Sequence, residues 1–435
     1  MRCAPRSVLA LFALSAVFTF ARPATAQSLS QDIQSLFKFG SCAQPLCLSL
    51  SGPSNIHGNH YIGSSVTANG EIIGFLNGAI GATLGSIPIS ASASGATFRF
   101  AGGAPVSTAT SAGPIFTERA QTLGRGGVLV GFNTTHIGFD HLRGTNLKDL
   151  SFNFAHADAG QPGLGDFASE YDYINVRQSI RLDLQSTAIF ATYGVRDHFD
   201  VGVAVPVVHS SLRATSDATI LNRAGPPTGL HYFGTDPTHP VYTATTSVSG
   251  SRTGFGDVAV RAKLGLVQSD RVGVAIMGDG RLPTGNEENF TGTGELAVRA
   301  LGIVSARLGS FSPHVNGGYA FRSGDSQSNA VLLSGGFDQL LARKATLAVD
   351  VISEFDVGGS PLTLPEQITF AGSKPGTISA TNVPNRSDDI VNLSAGAKFD
   401  LSAVALVVNG ILPLGNGGLQ SRGGIFTLGF EHTFR

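Results

Sequence analysis

The sequence predicts an all-β transmembrane protein, an antiparallel up-and-down β-barrel of about 12 strands, with about 14 as the alternative count. From about residue 127 onwards, apolar and polar side chains alternate with a period of two over segments of roughly 10–15 residues. The connections between these segments alternate between short and long, which is typical of outer-membrane barrels. Glycine is abundant, at 56 of 435 residues, and this disfavours a long helical protein.

The composition excludes two other classes of protein. The formal net charge is −1, so there is no excess of basic residues to neutralise phosphates, and we expect no nucleic-acid partner. The hydrophobic fraction of 42 % is too high for a disordered chain.

Residues 1–26 are expected to be a secretory signal peptide. Arg2 and Arg6 precede an apolar run from Val8 to Phe20, and Ala24 to Ala26 fits the small-residue cleavage rule. The apolar run is shorter than the roughly 20 residues that a spanning helix needs. We therefore expect an exported protein.

Residues 27–126 are rich in Gly, Ser and Ala and are expected to form a plug or a periplasmic segment, with the barrel in residues 127–435. Within this part, residues 70–87 place apolar side chains at helical spacing among glycines, which fits either a closely packed helix or a glycine-rich loop. Cys42 and Cys47 are a candidate local disulfide. Metal binding by these two thiols is the weaker interpretation, because no His or acid follows at ligand spacing. We expect no metal site.

Alternation predicts the strands in order along the chain. The clearest segments lie near 128–133, 180–190, 199–207, 257–266, 272–277, 295–300 and 314–322, followed by 329–341, 345–356, 389–399, 402–413 and 424–435. The short connections include those at Asp197 and Lys344, which we expect to face the periplasm. The long connections, expected outside, are 141–179, 215–253, 284–293, 323–328, 358–388 and 414–423.

The last segment supports a membrane barrel over a soluble sandwich, which also alternates. Phe426, Phe430 and Phe434 share one face, as in the amphipathic C-terminal strand that outer-membrane barrels present to their insertion machinery. Arg435 follows the last aromatic residue, which departs from that pattern. Isolated charges recur on one face of several strands, whereas a sandwich interior excludes unpaired charge.

Charged residues opposite the Val and Leu side chains are expected to line the lumen. Opposite charges on neighbouring strands would pair across the wall, and an excess of positive charge would bias the solute that passes. The candidates are Arg181, Asp183, Asp257, Arg261, Lys263, Asp279, Arg281, Glu295 and Arg299.

Three segments, residues 193–207, 253–266 and 280–300, resemble a family of outer-membrane barrels named for the MetA pathway of phenol degradation. The shared marks are a Tyr-Gly-x-x-Asp turn before a strand that ends in Pro206, a G-x-G-D strand opening at Gly254, and a P-T-G at Pro283. The resemblance covers about residues 180–435 and implies passive channels for small, often aromatic, compounds. A more distant similarity to FadL-type channels implies an N-terminal plug.

No pattern in the sequence favours catalysis. Motifs that resemble a dinucleotide fingerprint, at Gly163, Gly254 and Gly292, follow loops, and the last two open strands instead of helices. His57 and His60 lack a third ligand, and Glu287 and Glu288 match no calcium loop. We expect no enzyme activity and no cofactor; an outer-membrane lipase or protease is the enzyme alternative.

The sequence therefore predicts a channel, in outer-membrane lipid, for small apolar or aromatic molecules. The alternative is a structural or adhesive barrel whose exposed loops bind surface partners. A continuous open lumen would favour the channel, and a packed lumen would favour the alternative.

Overall fold

The computed structural model describes residues 27–40, 46–50, 61, 74, 76, 78–80, 98–101, 104–107 and 111–434, except 159, 161–162, 326, 361–363, 365–366 and 402–403. Within these ranges, no helix has the length and apolar character needed to cross a membrane. Cys47 is disulfide-bonded, whereas its predicted partner, Cys42, the predicted signal peptide and the residues His57 and His60 lie outside the described residues.

Before the barrel, the described elements with complete bounds are one short helix and four short strands. They are α1 (Leu29–Ser35), β1 (Phe39–Gly40), β2 (Leu46–Leu50), β3 (Phe98–Ala101) and β4 (Ala104–Ser107). A capping box begins α1, because the Ser28 hydroxyl accepts from the Gln31 amide at 3.2 Å and the Gln31 side chain accepts from the Ser28 amide at 3.1 Å. In the stretch 70–87, the described residues 74, 76 and 78–80 are helical. This agrees with a helix, one of the two alternatives left open by the sequence, and not with a glycine-rich loop.

The remaining elements are two 3₁₀ turns, at Ala168–Tyr171 and Glu287–Asn289, and twenty strands. The strands are β5 (Val128–Phe139), β6 (His141–Leu142), β7 (Thr145–Asn146), β8 (Leu150–Ala155), β9 (Asp172–Arg196), β10 (Phe199–Asn222), β11 (His231–Phe233), β12 (Thr243–Phe255), β13 (Val258–Gln268), β14 (Val272–Leu282), β15 (Ala297–Ala306), β16 (Phe311–Arg322), β17 (Asn329–Ala342), β18 (Ala345–Val357), β19 (Ile368–Phe370), β20 (Gly376–Ile378), β21 (Ile390–Asp400), β22 (Ala405–Pro413), β23 (Leu419–Gln420) and β24 (Ile425–Phe434).

Twelve of these strands form a closed antiparallel barrel, which confirms the predicted fold and the lower of the two strand counts. Its order is β5, β9, β10, β13, β14, β15, β16, β17, β18, β21, β22 and β24. The barrel closes because β5 pairs with β24 on one side and with β9 on the other. Two further strands, β8 and β12, pair only with the ends of β9 and β10. The barrel therefore has one end with short turns and one end with long loops.

The strands β9 and β10 are much longer than a membrane requires. They contain 25 and 24 residues, whereas a tilted spanning strand needs about 9–11. Their extra length lies at the long-loop end, where β8 and β12 widen the sheet. We call this part, residues 172–185 and 207–222 with β8 and β12, the extension.

In the extension, the apolar face points inward and the polar face points outward. Ile180, Leu182 and Leu184 are buried, while Arg181 between them has a side chain that is 68 % exposed. Nonpolar side chains of the N-terminal segment fill the interior there, and the outer surface carries polar groups. The alternation is thus the reverse of that expected for a wall between lipid and a polar lumen.

This reversal corrects two of the predicted lumen residues. Arg181 and Asp183 lie on the outward face of β9, where the Arg181 Nε donates to the Asp183 carboxylate at 2.8 Å. An exposed pair of this kind contributes little to stability. The sequence pattern does not show which face of β9 points into the barrel, since apolar and polar residues alternate in the same way whichever face is inside.

The shorter barrel strands have the expected polarity. Val260, Leu264 and Ile276 are between 40 % and 49 % exposed on the outer surface, where lipid would cover them. On the opposite face of the same strands, Lys263 and Asp279 are at most 3 % exposed and point inward. The outer face therefore suits hydrocarbon over these strands.

The fold predicts its orientation in the outer membrane. An epitope tag inserted after His239, in the exposed long loop between β11 and β12, should be labelled by antibody on intact cells. A tag between Arg343 and Lys344, in the short turn after β17, should be labelled only after the outer membrane is permeabilised. Labelling of the second tag on intact cells would reverse the assignment of the two ends.

Candidate functional site

A segment of the chain before β5 crosses the interior at the short-turn end. We call residues 111–127 the floor segment. Its last residues run beside the start of the barrel, where the Gly126 amide donates to the Gly194 carbonyl at 2.8 Å. The Thr122 hydroxyl donates to the carbonyl of Asp197, in the short turn between β9 and β10, at 2.7 Å. The floor segment is therefore fastened at the level of the short turns.

Two buried ion pairs join the floor segment to the barrel wall. The Lys263 Nζ donates to Glu118 at 3.0 Å, and Arg119 donates to Asp338 at 2.8 Å. All four side chains are at most 5 % exposed. Removal of one partner from a buried pair commonly costs about 3–5 kcal/mol, because the other charge then stays buried without it. Lys263 and Asp338 therefore depend on the floor segment being in place.

A third buried polar contact lies beside these pairs. The Thr117 hydroxyl donates to Asp350 at 2.9 Å and lies 2.8 Å from the His314 Nε2. The same ring nitrogen lies 2.7 Å from Asp350. Ser111, at the start of the floor segment, donates to Asp338. The wall thus presents carboxylates whose partners come from the floor segment.

Apolar side chains fill the space around these polar contacts. Ile115 and Phe116 pack against Ala348, Val407 and Ile411 on one side of the barrel. On the opposite side, Ala120 packs against Ala275, Met277 and Ile303. The floor segment therefore contacts both sides of the wall and spans the interior.

The earlier part of the chain occupies the long-loop end. Leu29, Ile33 and Leu36 belong to one buried cluster with inward side chains of the extension, such as Leu212 and Ile220. The helix α1 lies so close to β12 that a Cβ on Gly250 would come within 2.8 Å of Asp32 and 2.9 Å of Leu29. The barrel interior is thus occupied near both ends.

A buried carboxylate also fastens a long loop to the extension. Asp172 accepts hydrogen bonds from His231 at 3.0 Å, Thr228 at 2.6 Å and Asn222 at 2.7 Å. Burial acts to raise the pKa of Asp172, but these hydrogen bonds outweigh it and lower the pKa below its ordinary value. The loop that contains β11 is therefore held while Asp172 is ionised.

Between the two occupied ends lies a cavity of about 120 Å³. One part of its wall is charged and carries three cations, Arg261, Arg281 and Arg299, and three carboxylates, Glu118, Asp279 and Glu354. Another part is apolar and includes Phe116 of the floor segment, Met277, Leu301, Ile352 and Ile411. We call this the central cavity and take it, with the floor segment, as the candidate functional site.

The register of β13, β14 and β15 assembles the charged wall. Asp279 lies directly opposite Arg261 on one neighbouring strand and Arg299 on the other. Arg261 donates to Asp279 at 2.6 Å, and the Arg281 Nε lies 3.7 Å from the same carboxylate. The sequence alternation placed these four residues on one face, and the structure brings them together.

The other predicted lumen residues have different positions. Lys263 lies below the central cavity and binds the floor segment. Asp257 accepts hydrogen bonds from the amides of Gly285 at 3.0 Å and Thr293 at 2.8 Å, so it fastens the loop between β14 and β15. Glu295 precedes β15 and lies against Gly324. These last two residues organise the long-loop end and do not line the cavity.

Sequence reasoning missed the wall residues that hold the floor segment. His314, Asp338 and Asp350 are buried on inward positions of β16, β17 and β18. A signal was present for Asp338, because β17 contains no other charged residue, whereas β18 contains Glu354 and Asp356 besides Asp350. Their partners could not be found, since Thr117, Arg119 and Ser111 lie up to 233 residues away in the chain.

Comparison with known proteins agrees with the resemblance. Residues 174–344 match the family model described as "Putative MetA-pathway of phenol degradation". The resemblance predicted from the motifs is thereby confirmed over this segment, which runs from β9 to the turn after β17. The floor segment lies outside the match. No curated protein matches the chain significantly.

Three solved outer-membrane proteins are similar to the chain at low identity. The COG4313 outer membrane channel from Pseudomonas putida F1 is 11 % identical, with 72 % of this chain and 98 % of that chain covered and a TM-score of 0.42. A Pseudomonas aeruginosa FadL homologue is 10 % identical, with coverages of 71 % and 89 % and a TM-score of 0.29. The Ralstonia pickettii toluene transporter TbuX is 12 % identical, with coverages of 72 % and 90 % and a TM-score of 0.27.

Loss of a floor anchor should loosen the floor segment. Arg119→Ala removes the cation that binds Asp338 and should destabilise the docked segment by about 3–5 kcal/mol. Limited proteolysis should then cut residues 111–127 at least tenfold faster, while heat-modifiable migration on gels shows a folded barrel. Arg125→Ala, on an exposed side chain of the same segment, is the matched control. Equal cutting of both variants would show that the pair does not hold the segment.

Filling the space beside Gly250 should displace α1. Gly250→Val places atoms where Asp32 and Leu29 now lie, so hydrogen exchange of the α1 amides should accelerate at least tenfold. Gly278→Val is the control, because an added Cβ there meets nothing within 4 Å. Unchanged exchange in Gly250→Val would mean that α1 does not depend on this contact.

Proposed function

We propose that the protein is an outer-membrane channel for the passive transport of small apolar or aromatic molecules. The observation that carries the proposal is the central cavity, an amphipathic space inside a lipid-facing barrel, closed by a segment that is not part of the wall. The family match over residues 174–344 supports it, since the description of that family refers to phenol degradation.

In this proposal, passage requires movement of the floor segment at one end and of the N-terminal residues packed inside the extension at the other. Besides its apolar contacts, the floor segment has ion pairs and hydrogen bonds with the wall, and each of these that breaks exposes a polar or charged group that water in the lumen can solvate. A packed apolar floor would offer no such exchange of partners. The barrel itself stays closed, because its strand pairing does not involve residues 111–127.

The remaining parts of the proposal concern export and insertion. Residues 1–26 direct export and are removed, and β24 is recognised by the outer-membrane insertion machinery. The outward side chains Phe426, Leu428 and Phe434 are between 51 % and 59 % exposed, which suits recognition of this strand and later contact with lipid. No enzymatic step is part of the proposed function.

One observation favours the alternative, a structural or adhesive barrel. Both ends of the described interior are occupied, which is what a barrel without a transport function would show. The two candidates differ in how the barrel responds to removal of the floor segment. In a channel the N-terminal residues packed inside the extension also move during passage, so removal of the floor segment raises conductance. In a structural barrel the extension stays packed, and removal of the floor segment leaves it closed.

Conductance in planar bilayers tests the proposal. Deletion of residues 113–121 should raise single-channel conductance severalfold over the intact protein, because the lumen loses its floor. Benzyl alcohol should produce concentration-dependent blocks of the current through the intact protein as it enters the central cavity, which the deletion would leave without Phe116. Absence of conductance in both proteins, with folded barrels shown by heat-modifiable migration, would contradict transport and favour the structural alternative.

A further inference from the structure

Positive charge recurs along one side of the short-turn end of the barrel. The turns between β9 and β10, β13 and β14, β15 and β16, and β17 and β18 follow one another around the barrel. Each has an arginine, either within the turn or at the end of the strand that enters it, and these are Arg196, Arg271, Arg307 and Arg343 in that order. We call these four turns the arc. The fifth short turn, residues 401–404 between β21 and β22, contains no Lys or Arg.

Hydrogen bonds join each turn of the arc to its neighbours. The Arg307 amide donates to the Arg271 carbonyl at 2.8 Å, so the second and third turns are in direct contact. The Leu340 amide, near the end of β17, donates to the Ser310 carbonyl of the third turn at 3.0 Å. The first turn is bound to the end of β13 in the same way. The cations of the arc are therefore carried by a continuous, hydrogen-bonded rim.

The exposed end of the barrel has more cations than carboxylates. Among the described residues of the short turns, of the strand ends that flank them and of the exposed end of the floor segment, six cations face three carboxylates. The cations are Arg125, Arg196, Arg271, Arg307, Arg343 and Lys344, and the carboxylates are Asp197, Asp270 and Asp400. Three carboxylates neutralise at most three of these cations, whichever pairs they form. An excess of three positive charges remains, and five of the six cations belong to the arc.

The carboxylates inside the barrel at this level are held by partners that are also inside it. Asp338 is bound by Arg119, Glu118 by Lys263, Glu431 by Lys398, Asp350 by Thr117 and Asp200 by the Leu123 amide. All five are at most 4 % exposed. An anion outside the barrel can therefore contact the cations of the arc, and the wall separates it from these carboxylates.

The arc lies at the edge of the apolar outer surface. Val272, Leu308 and Leu341 are between 44 % and 66 % exposed, and each lies within two residues of the arginine of its turn. Acyl chains that cover these three side chains bring their headgroup phosphates to the level of the arginines. A guanidinium presents paired N–H donors that match the oxygens of a phosphate group. The geometry thus places phosphate-binding side chains where lipid headgroups lie.

We propose that the arc binds the headgroups of anionic phospholipids in the leaflet at the short-turn end. Every phospholipid presents a phosphate, but in a zwitterionic headgroup an attached cation cancels its charge and would meet the positive excess of the arc. A headgroup with a net negative charge, such as phosphatidylglycerol, attracts Lys and Arg near the membrane surface without that opposition. The proposal holds for a channel and for a structural barrel alike.

An acidic protein is the other class of partner that such charge could attract, and it fits less well. The arginines of the arc alternate with exposed Val and Leu side chains that continue the lipid-facing surface of the strands. A protein partner would have to displace lipid from these side chains before it reached the cations. A phospholipid satisfies both at once, because its acyl chains and its phosphate meet the two kinds of side chain in the order in which the wall presents them.

Tryptophan fluorescence tests the proposal, since the chain contains no Trp. Leu308→Trp places a reporter in the third turn of the arc. Phe321→Trp is the matched control, because Phe321 is 50 % exposed at the other end of β16 and lies opposite Val298. Each protein is folded into phosphatidylcholine vesicles that contain increasing fractions of brominated phosphatidylglycerol or of brominated phosphatidylcholine. Bromine quenches only a nearby Trp, so the two titrations give the affinity of each reporter's surroundings for one lipid relative to the other.

We expect the Leu308→Trp reporter to prefer phosphatidylglycerol at least threefold at low salt, because of the adjacent cations. The Phe321→Trp reporter should show affinities for the two lipids that agree within about 1.5-fold. A salt concentration of about 0.5 M should reduce the preference at Leu308→Trp at least twofold, since it screens exposed charges.

Substitutions in the flanking turns test the role of the cations. Arg271→Gln together with Arg343→Gln, in the Leu308→Trp protein, removes two exposed charges on either side of the reporter and should reduce the preference at least twofold. Arg181→Gln, on the outward face of the extension, is the control and should leave it unchanged. Heat-modifiable migration shows that each barrel is folded. If the double variant fails to fold, the salt dependence of the Leu308→Trp protein still decides the proposal.

Equal affinity for the two lipids at Leu308→Trp would overturn the proposal and leave the arc to an acidic protein partner. A preference of the same size at Phe321→Trp would also overturn it, because the preference would then belong to the whole barrel surface. So would a preference that survives either high salt or the double substitution. A preference confined to Leu308→Trp and reduced by both changes would support binding of anionic phospholipid by the arc.

Discussion

The ion pairs between the floor segment and the wall organise the interior of this barrel. Lys263 and Asp338 point inward from strands whose other face meets lipid, and neither could remain charged in a dry lumen without a partner. Glu118 and Arg119 are adjacent in the chain and supply one partner each. Because Glu118 and Arg119 have opposite charges, this one dipeptide neutralises both Lys263 on β13 and Asp338 on β17. The two pairs fix the level at which the floor segment crosses the barrel.

The same alternating pattern serves two environments along the height of the barrel. In the shorter strands, apolar side chains such as Val260 point to lipid and charged ones point inward. In the extension, Ile180 and Leu182 point inward onto the N-terminal segment, and Arg181 points to water. The polarity of the two faces can reverse because the medium outside the barrel changes from hydrocarbon to water. At the level of the extension, the N-terminal segment supplies the apolar side chains that pack against the inward face.

The buried ion pairs and the reversal of polarity in the extension explain which parts of the structure can be predicted from the sequence. The closed barrel and the charged group around Asp279 follow from period-two alternation and antiparallel register, which are local properties of the strands. The direction in which each face of β9 points does not follow from these local properties, since it depends on where the bilayer ends. The assignment of Arg181 and Asp183 to the lumen was wrong for that reason. The contacts of Asp338 with Ser111 and Arg119 depend on the path of residues 111–127. The local sequence pattern contains nothing that specifies that path.

The central claim is that the floor segment must leave its place for solute to pass. The amide of Ala120 lies 3.1 Å from the hydroxyl of Ser305, so Ala120→Cys with Ser305→Cys allows a tether between the segment and the wall. Single-channel conductance of this variant, measured oxidised and then reduced, tests the claim most directly, with the original protein treated identically to account for Cys47. The account predicts loss of conductance when the tether forms and recovery on reduction. Equal conductance in both states would contradict it.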